Sequence, residues 1–490
     1  MLTGSFAGAW WLPDQPDRRV AGTLEVGWDL LRLDLIGSFL DPPQWSQVQR
    51  HPVILGTTTD GKRVTLHENV VAAISFNLAA YGLPAVAIRP TVAFVGGHLA
   101  EPSAAKFKGI TLDLERFTDW LQPRPMNVEV EDGRSTDGQP VRRAHVSYES
   151  PPVEEQQLTD TTLKIGMSWG VKGDRTSETV IWQRASLDAT HSDGLTSDEW
   201  HEALVGPLRN LLSLATERPI TVERLELRES ADPTEGGGLE VVGPRAAPRP
   251  DPPRMLLPPE MVFGLHELPA EGLARWITLS RELGDALNLF FGVRYAPGMY
   301  VENEFLNLAQ GVEVYHRRRH GGTEASAPDH DARLSGILEA TPTRYRPWLA
   351  EKLRHSNELT LSQRLKELYR AVGPVMQPLL GDGKTWVWRV VEARNFQTHR
   401  DAAAQKGIPR GVDLWWLAQE LSVLMTALLL LELGFTTDQT GELLRRGSPA
   451  YQRLLGRRLA DATSEPAANP SPRQGNPGPV AAGDDPNVHP

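Results

Sequence analysis

Between residues 229 and 260 the chain reads ESADPTEGGGLEVVGPRAAPRPDPPRMLLPPE. Three glycines followed by a dense proline series favour neither a helix nor the interior of a sheet, and such a stretch behaves as a semi-rigid spacer. Before it, apolar residues recur mostly at every second position; after it, they recur at every third and fourth. The boundary therefore separates two kinds of domain, and 490 residues are too many for one core. The reading is an α+β multidomain protein. It has a β-rich N-terminal domain over residues 1–235, a Pro/Gly-rich linker over 236–259, an all-α helical bundle over 260–461 and a disordered tail over 462–490.

Short alternating or β-branched runs predict strands at Ala21–Val26, Leu31–Ile36, Arg63–Leu66, Thr91–Val95, His145–Tyr148, Leu163–Trp169, Thr179–Trp182 and Thr221–Glu226. Helices are expected at Leu112–Leu121 and Ser197–Thr216, the latter on a stripe of Leu204, Leu208, Leu211 and Leu212. In the second half, Trp276, Leu279, Leu283, Leu287 and Phe290 trace one helical stripe. Phe305, Leu308, Ala309 and Val312 trace another, and Leu361, Leu365, Leu368, Tyr369 and Val372 a third. A bundle of four to six helices follows, with Asp413 capping a long apolar helix that Gly434 stops.

The chain has no cysteine, which removes disulfides, thiolate zinc sites and cysteine nucleophiles together. A net charge of −11 argues against a general nucleic-acid coat, although a local basic site survives it because salt screens charge beyond roughly 10 Å. The N-terminus lacks the basic start and apolar run of a signal peptide. Gln419, Glu420 and Glu432 interrupt the apolar run Leu414–Leu433, which reads as a buried helix rather than a membrane span. A cytoplasmic protein is expected.

Gly56 to Lys62 has the spacing of a phosphate loop, but Arg63 stands where a hydroxyl residue would hold magnesium. Val64-Thr65-Leu66 then continues as strand where a phosphate loop needs a helix. Asp60-Gly61 is instead a hairpin turn. His316 and His320 stand one turn apart, with three arginines between them and no third ligand in view, so no metal and no cofactor are expected.

The chemical signal lies at Arg394-Asn395-Phe396-Gln397-Thr398-His399. Val387, Val390 and Val391 form an apolar stripe whose next position is Arg394, and an inward arginine is costly unless an anion meets it. Arginine presents a fork that fits phosphate oxygens, histidine moves protons near neutrality, and asparagine orients either. Metal-free RNA cleavage needs two proton transfers, and one histidine per chain supplies one, which points to two copies across a twofold axis. Five residues of ideal helix leave Arg394 and His399 roughly 140° apart, so the helix must bend or end near the histidine. The rival reading is a non-catalytic helical scaffold or sensor in which Arg394 pairs with Glu392 or Glu420; a metal-dependent nuclease is a third.

Arg394-Asn395-x-x-x-His399 resembles the R-x4–6-H signature of HEPN ribonucleases. Glu302-Asn-Glu-Phe305-Leu306 and Gln310-Gly-Val-Glu313-Val-Tyr315-His316 resemble the early helix of the ApeA-like HEPN domain. Phe6-Ala-Gly8-Ala-Trp10-Trp11-Leu-Pro13, Gly22-Thr23-Leu24, Ile54-Leu-Gly56 and Gly61-Lys-Arg-Val64-Thr65-Leu66 are similar to the ApeA N-terminal domain. The resemblance implies an all-α HEPN bundle acting as a metal-independent endoribonuclease in abortive antiphage defence. A sensing or restraining N-terminal domain, a homodimer, a cellular RNA substrate such as tRNA and a phage-derived trigger belong to the same expectation. Arg394 would bind the scissile phosphate, His399 would act as base or acid, and Asn395 would position them. Glu313 and His316 would lie beside the site, and Arg317, Arg318, Arg319 and Arg400 are candidates to track RNA phosphates.

Overall fold

Strict alternation makes the first strands. In β2 (Val20–Val26) and β3 (Leu31–Ile36), Val20, Leu24, Val26, Leu31, Leu33 and Leu35 are buried, while the residues between them face outward or are half-buried. With β1 (Gly4–Trp11), β4 (Arg50–Thr58), β5 (Arg63–Ser75) and β6 (Ala85–Val95) they pair in the order β6-β3-β2-β1-β4-β5. Strand β5 pairs back onto β6, so these strands close into a barrel around Trp10, Leu24, Leu33, Ile54, Leu66 and Ile88. The protein is seen here as a computed structural model, which describes residues 3–39, 50–75, 83–122, 125–174, 176–232, 235–243, 256–296, 298–399 and 407–464. Asp60-Gly61 turns β4 into β5 with Gly61 at φ +81°, a hairpin as expected. Gly56 admits the Trp10 ring, since a Cβ there would stand 2.2 Å from it.

A second sheet grows from the barrel. It contains β7 (Phe107–Leu114), β10 (Glu154–Gln157), β11 (Thr161–Gly173), β12 (Thr179–Leu195), β13 (Val222–Arg228) and β14 (Leu239–Val242), and β14 joins it to β6. A separate ribbon of β8 (Met126–Arg134) and β9 (Pro140–Tyr148) stands beside it. Two expectations change here. Leu112–Leu121 is the end of β7 followed by the short α1 (Phe117–Leu121), because Ile110, Leu112 and Leu114 alternate with Thr111 and Asp113. The expected linker also contains β14: Leu239-Glu-Val-Val242 pairs with β13 and β6, and the proline series begins only after it. Residues 244–255 of that linker lie outside the described residues.

The helix expected at Ser197–Thr216 is broken inside. Thr196 caps α2 (Ser197–Trp200) in a capping box with Glu199, one π turn covers His201–Val205, and α3 (Gly206–Thr216) follows. Pro207 has no N–H to offer, and the Gly206 N–H reaches back to the His201 carbonyl, which accounts for the widened turn.

The helical half runs α4 (Gly272–Glu282), α5 (Gly284–Tyr295), α6 (Val301–His320), α7 (Ala327–Ala340), α8 (Arg346–Lys352), α9 (Leu361–Ala371), α10 (Gly373–Leu380), α11 (Gly383–His399), α12 (Val412–Leu433), α13 (Thr437–Gly447) and α14 (Pro449–Ser464). That is more than the four to six helices expected, because the Trp276–Phe290 stripe splits at Leu283 and short helices fill the connections. Helix α12 is apolar on all sides and buried through most of its length, so it is the axis of the bundle. Among the described residues it is the one helix long and apolar enough to cross a membrane. Gly411 rather than Asp413 is its N-cap, with Asp413 in the first turn, and Gly434 ends it at φ +100°. Helix α14 carries past residue 462 to Ser464; 465–490 lie outside the described residues.

One apolar core spans both halves. Leu208, Leu211 and Leu212 of α3 join Trp276 and Leu279 of α4, Phe291 of α5 and the leucines of α12. Polar contacts lock the seam: Trp276 Nε1 donates to the Pro207 carbonyl (2.7 Å), Arg294 to that of Ser213 (2.7 Å), and the Val262 N–H to that of Ala215 (2.7 Å).

Candidate active site

Helix α11 begins on Asp382, whose carboxylate accepts from the Lys384 and Thr385 N–H groups and the Thr385 hydroxyl. Those bonds hold the Asp382 carboxyl below its usual range. The buried stripe of α11 is Trp386, Val387, Val390, Ala393, Phe396 and Gln397. Beyond Val390 the inward positions are therefore Ala393, Phe396 and Gln397 and not Arg394, because Val391 is only half-buried and does not set the phase. Arg394 sits at the flank, 38% exposed, with Nη2 3.9 Å from Glu313 Oε2 on α6. That is ion-pair range but beyond a hydrogen bond, so the guanidinium keeps donors for another anion. Neither Glu392 nor Glu420 supplies this partner: burial pushes the Glu420 carboxyl up, and Trp386 Nε1 donates to it at 3.0 Å.

Asn395 and His399 are exposed and lie one turn apart on another face of α11. The helix stays regular through His399, so it keeps Arg394 and His399 roughly 140° apart around the axis and about 7.5 Å apart along it. A single chain brings Arg394 to Glu313 and does not bring it to His399. Arg400 lies outside the described residues.

Glu313 also accepts from Arg317 (3.0 Å), whose other nitrogen binds Glu358 (2.8 Å), and Glu358 meets His355 (2.9 Å). Glu358 and Glu313 thereby hold the Arg317 guanidinium still more firmly charged. Arg318 binds Asp285 at 2.7 Å. Arg319 grips Glu432 with two 2.7 Å bonds and meets Glu282 at 3.2 Å. All three arginines of the α6 terminus thus carry acidic partners within the chain.

His316 faces α9, with no exposed surface. Its Nε2 lies 2.7 Å from Glu367 and its Nδ1 2.9 Å from Arg364 Nη1. Arginine can only donate, so Nδ1 accepts, and the ring proton sits on Nε2 and points to the carboxylate. Burial lowers the His316 pKa, the Arg364 charge adds to that, and Glu367 opposes it. The His320 ring is 5.0 Å away, but both His316 nitrogens are engaged, which leaves His316 without a lone pair for a metal. Arg364 also donates to the carbonyls of Gly321 (2.8 Å) and Leu359 (3.1 Å). Arg364, Glu367 and Glu358 escaped the sequence reading. The available signal was Arg364 itself, a charge beside Leu361, Leu365 and Leu368 on the apolar stripe of α9.

A barrel-and-sheet module docked on a helical bundle, with an arginine and a histidine near the end of one bundle helix, defines a two-domain protein of the α+β class. The match to the family described as ApeA N-terminal domain 1 covers residues 5–262, and the match to Apea-like HEPN covers residues 306–439. The chain belongs to the ApeA family, with an ApeA N-terminal domain followed by an ApeA-like HEPN domain. HEPN domains are in general ribonucleases, and this pairing points to a nuclease-type antiphage role. No curated protein and no solved structure matches the chain. The N-terminal match runs past residue 235 and takes in β14 and the seam at Val262, in keeping with the extended sheet.

Proposed function

We propose that the protein is a metal-independent endoribonuclease of antiphage defence. It works in the cytoplasm as a homodimer that cleaves cellular RNA when a phage-derived trigger is present. The observation that carries this reading is the end of α11 inside the HEPN match. There, a half-exposed Arg394 has guanidinium donors to spare, and Asn395 and His399 are open to solvent.

In the reaction, the substrate 2′-oxygen attacks its own phosphorus as the bond to the 5′-oxygen breaks. The products are a 2′,3′-cyclic phosphate and a free 5′-hydroxyl. One proton leaves the 2′-hydroxyl for a base and another reaches the 5′-oxygen from an acid, roles for His399 and the partner subunit's His399. Arg394 stabilises the charge that builds on the phosphorane, and Asn395 orients the phosphate. The wide angle between Arg394 and His399 on one helix supports a site completed by two chains. The core shared along the α3–α4 seam supports a restraining role for the N-terminal domain, relieved when the trigger binds.

The test is RNA-end sequencing in infected cells, paired with cleavage of total RNA by the purified protein in EDTA. Wild-type protein is expected to leave 2′,3′-cyclic phosphate ends. His399→Ala and Arg394→Ala should each lose about 10²-fold or more in rate. Undiminished cleavage and toxicity in either variant would overturn the proposal. The Arg394–Glu313 pair favours a second reading, a scaffold in which Arg394 only braces α6 against α11. That reading predicts lower stability for Arg394→Ala and no cleavage by any form.

A further inference from the structure

Helix α11 has a second exposed feature beyond the Arg394 cluster. Trp388 is 56% exposed, although the preceding tryptophan on the helix, Trp386, is 2% exposed. Counting 100° per residue, Lys384, Trp388, Asn395 and His399 fall within roughly 40° of one line along the helix. All of them are exposed. Trp388 lies about 16 Å from His399 along the axis, a span of a few nucleotides. Within its own sequence this helix carries Lys384, Arg389 and Arg394 against one acid, Glu392, in a protein of net charge −11; Arg394 meets Glu313 and Arg389 lies toward Glu420, which leaves Lys384 as the cation on the Trp388 face. The neighbouring Asp382 spends its carboxylate on the first amides of the helix.

We propose that the Lys384–Trp388 end of α11 is a platform for single-stranded RNA. On it, the Trp388 indole stacks a base a few nucleotides from the scissile phosphodiester and Lys384 neutralises a nearby phosphate. An exposed indole offers a stacking face that any base accepts, and a lysine one turn away can meet the phosphate beside that base. A second copy fits this end of the helix less well, because a twofold axis through the Trp388 face would set Lys384 against its own counterpart. For its substrate the inference rests on the ribonuclease reading above.

The experiment is a fluorescence-anisotropy titration of full-length His399→Ala protein with a labelled oligouridine about twelve nucleotides long, within the usual site sizes of roughly 4–16. Adding Trp388→Ala should weaken binding at least about fivefold, and Trp388→Phe should stay within about threefold of the parent. Lys384→Gln should lower the slope of log affinity against log salt by about one. Equal affinity for Trp388→Ala and its parent overturns the platform. Conversion of a dimer to a monomer by Trp388→Ala in sedimentation, with affinity per chain unchanged, also overturns it and assigns the face to a second copy. Trp388-dependent binding, in a protein whose wild-type and His399→Ala forms cut RNA equally, would retire the catalytic role of His399 and leave the platform standing.

Discussion

His316 carries the clearest consequence at the scale of single residues. Its neutral form is the one the fold accepts, because Arg364 occupies the Nδ1 lone pair and burial disfavours the cation. The folded pKa lies below the ordinary value of 6.5, so the unfolded chain binds the proton first as pH falls. The His316 contribution is complete above about pH 6.5 and declines below it, toward the folded value. Urea titrations between pH 7.5 and 5.5, about a unit either side of that value, should therefore show a falling midpoint whose His316 share disappears in His316→Gln. A pH dependence identical in the two proteins would refute this. Removing Arg364 is harsher: Arg364→Ala strips Nδ1 and two carbonyls of their donor and should cost roughly 2–4 kcal/mol, read from the same titrations at pH 7.5. Only part of this neighbourhood was legible beforehand. Arg394, Asn395 and His399 stood in one short run, whereas His316, Arg364 and Glu367 meet across sequence separations of 48 and 51 residues that no local pattern reports. The phase of α11 was misread at Val391: its inward positions after Val390 are Ala393, Phe396 and Gln397, which put Arg394 to one side.

Among the elements, those with strong alternation or strong stripes were readable, and those made by pairing alone were not. β2 and β3 announce themselves through Leu24, Leu33 and Leu35, and α6 through Phe305, Leu308 and Val312. β14 is only Leu239–Val242, and its identity as a strand comes from β13 and β6 on either side. The barrel supplies a sharp steric test. Gly56→Ala would drive a methyl into the Trp10 ring and should destabilise the protein by about 1–3 kcal/mol, whereas Gly61→Ser, at an open turn, should cost less. Thermal unfolding that ranks the two the other way would contradict the closed packing. Helix α14 offers a test of coupling between the halves. Glu217, at the end of α3, accepts from the Ser448 hydroxyl (2.6 Å) and the Ala450 N–H (3.3 Å) at the start of α14. Glu217→Ala should cost about 1 kcal/mol and speed hydrogen exchange at Ala450 and Tyr451, while the barrel amides keep their protection.

For the whole molecule, the proline series marks a change of residue pattern, and the packed core runs across it in space. The barrel encloses its own core, but the second sheet and α3 share theirs with α4, α5 and α12. Trp276, on the bundle side of the linker, is buried against the N-terminal domain and donates to the Pro207 carbonyl. Gly447 lies so close to the Met261 backbone that a Cβ would stand 1.9 Å from its carbonyl oxygen. Covalent continuity between Gly243 and Leu256 should therefore matter little once the chain has folded. A protease site engineered there and then cut should leave two fragments that co-elute in gel filtration and melt in one transition with the second sheet. The helical half expressed alone, from residue 256 onward, should be insoluble because it would expose the faces that α3 covers. Restoring the N-terminal half in trans should recover it. Nicked fragments that separate without denaturant, or a soluble helical half with native exchange protection, would mean that the two domains communicate through the linker and not through a shared core.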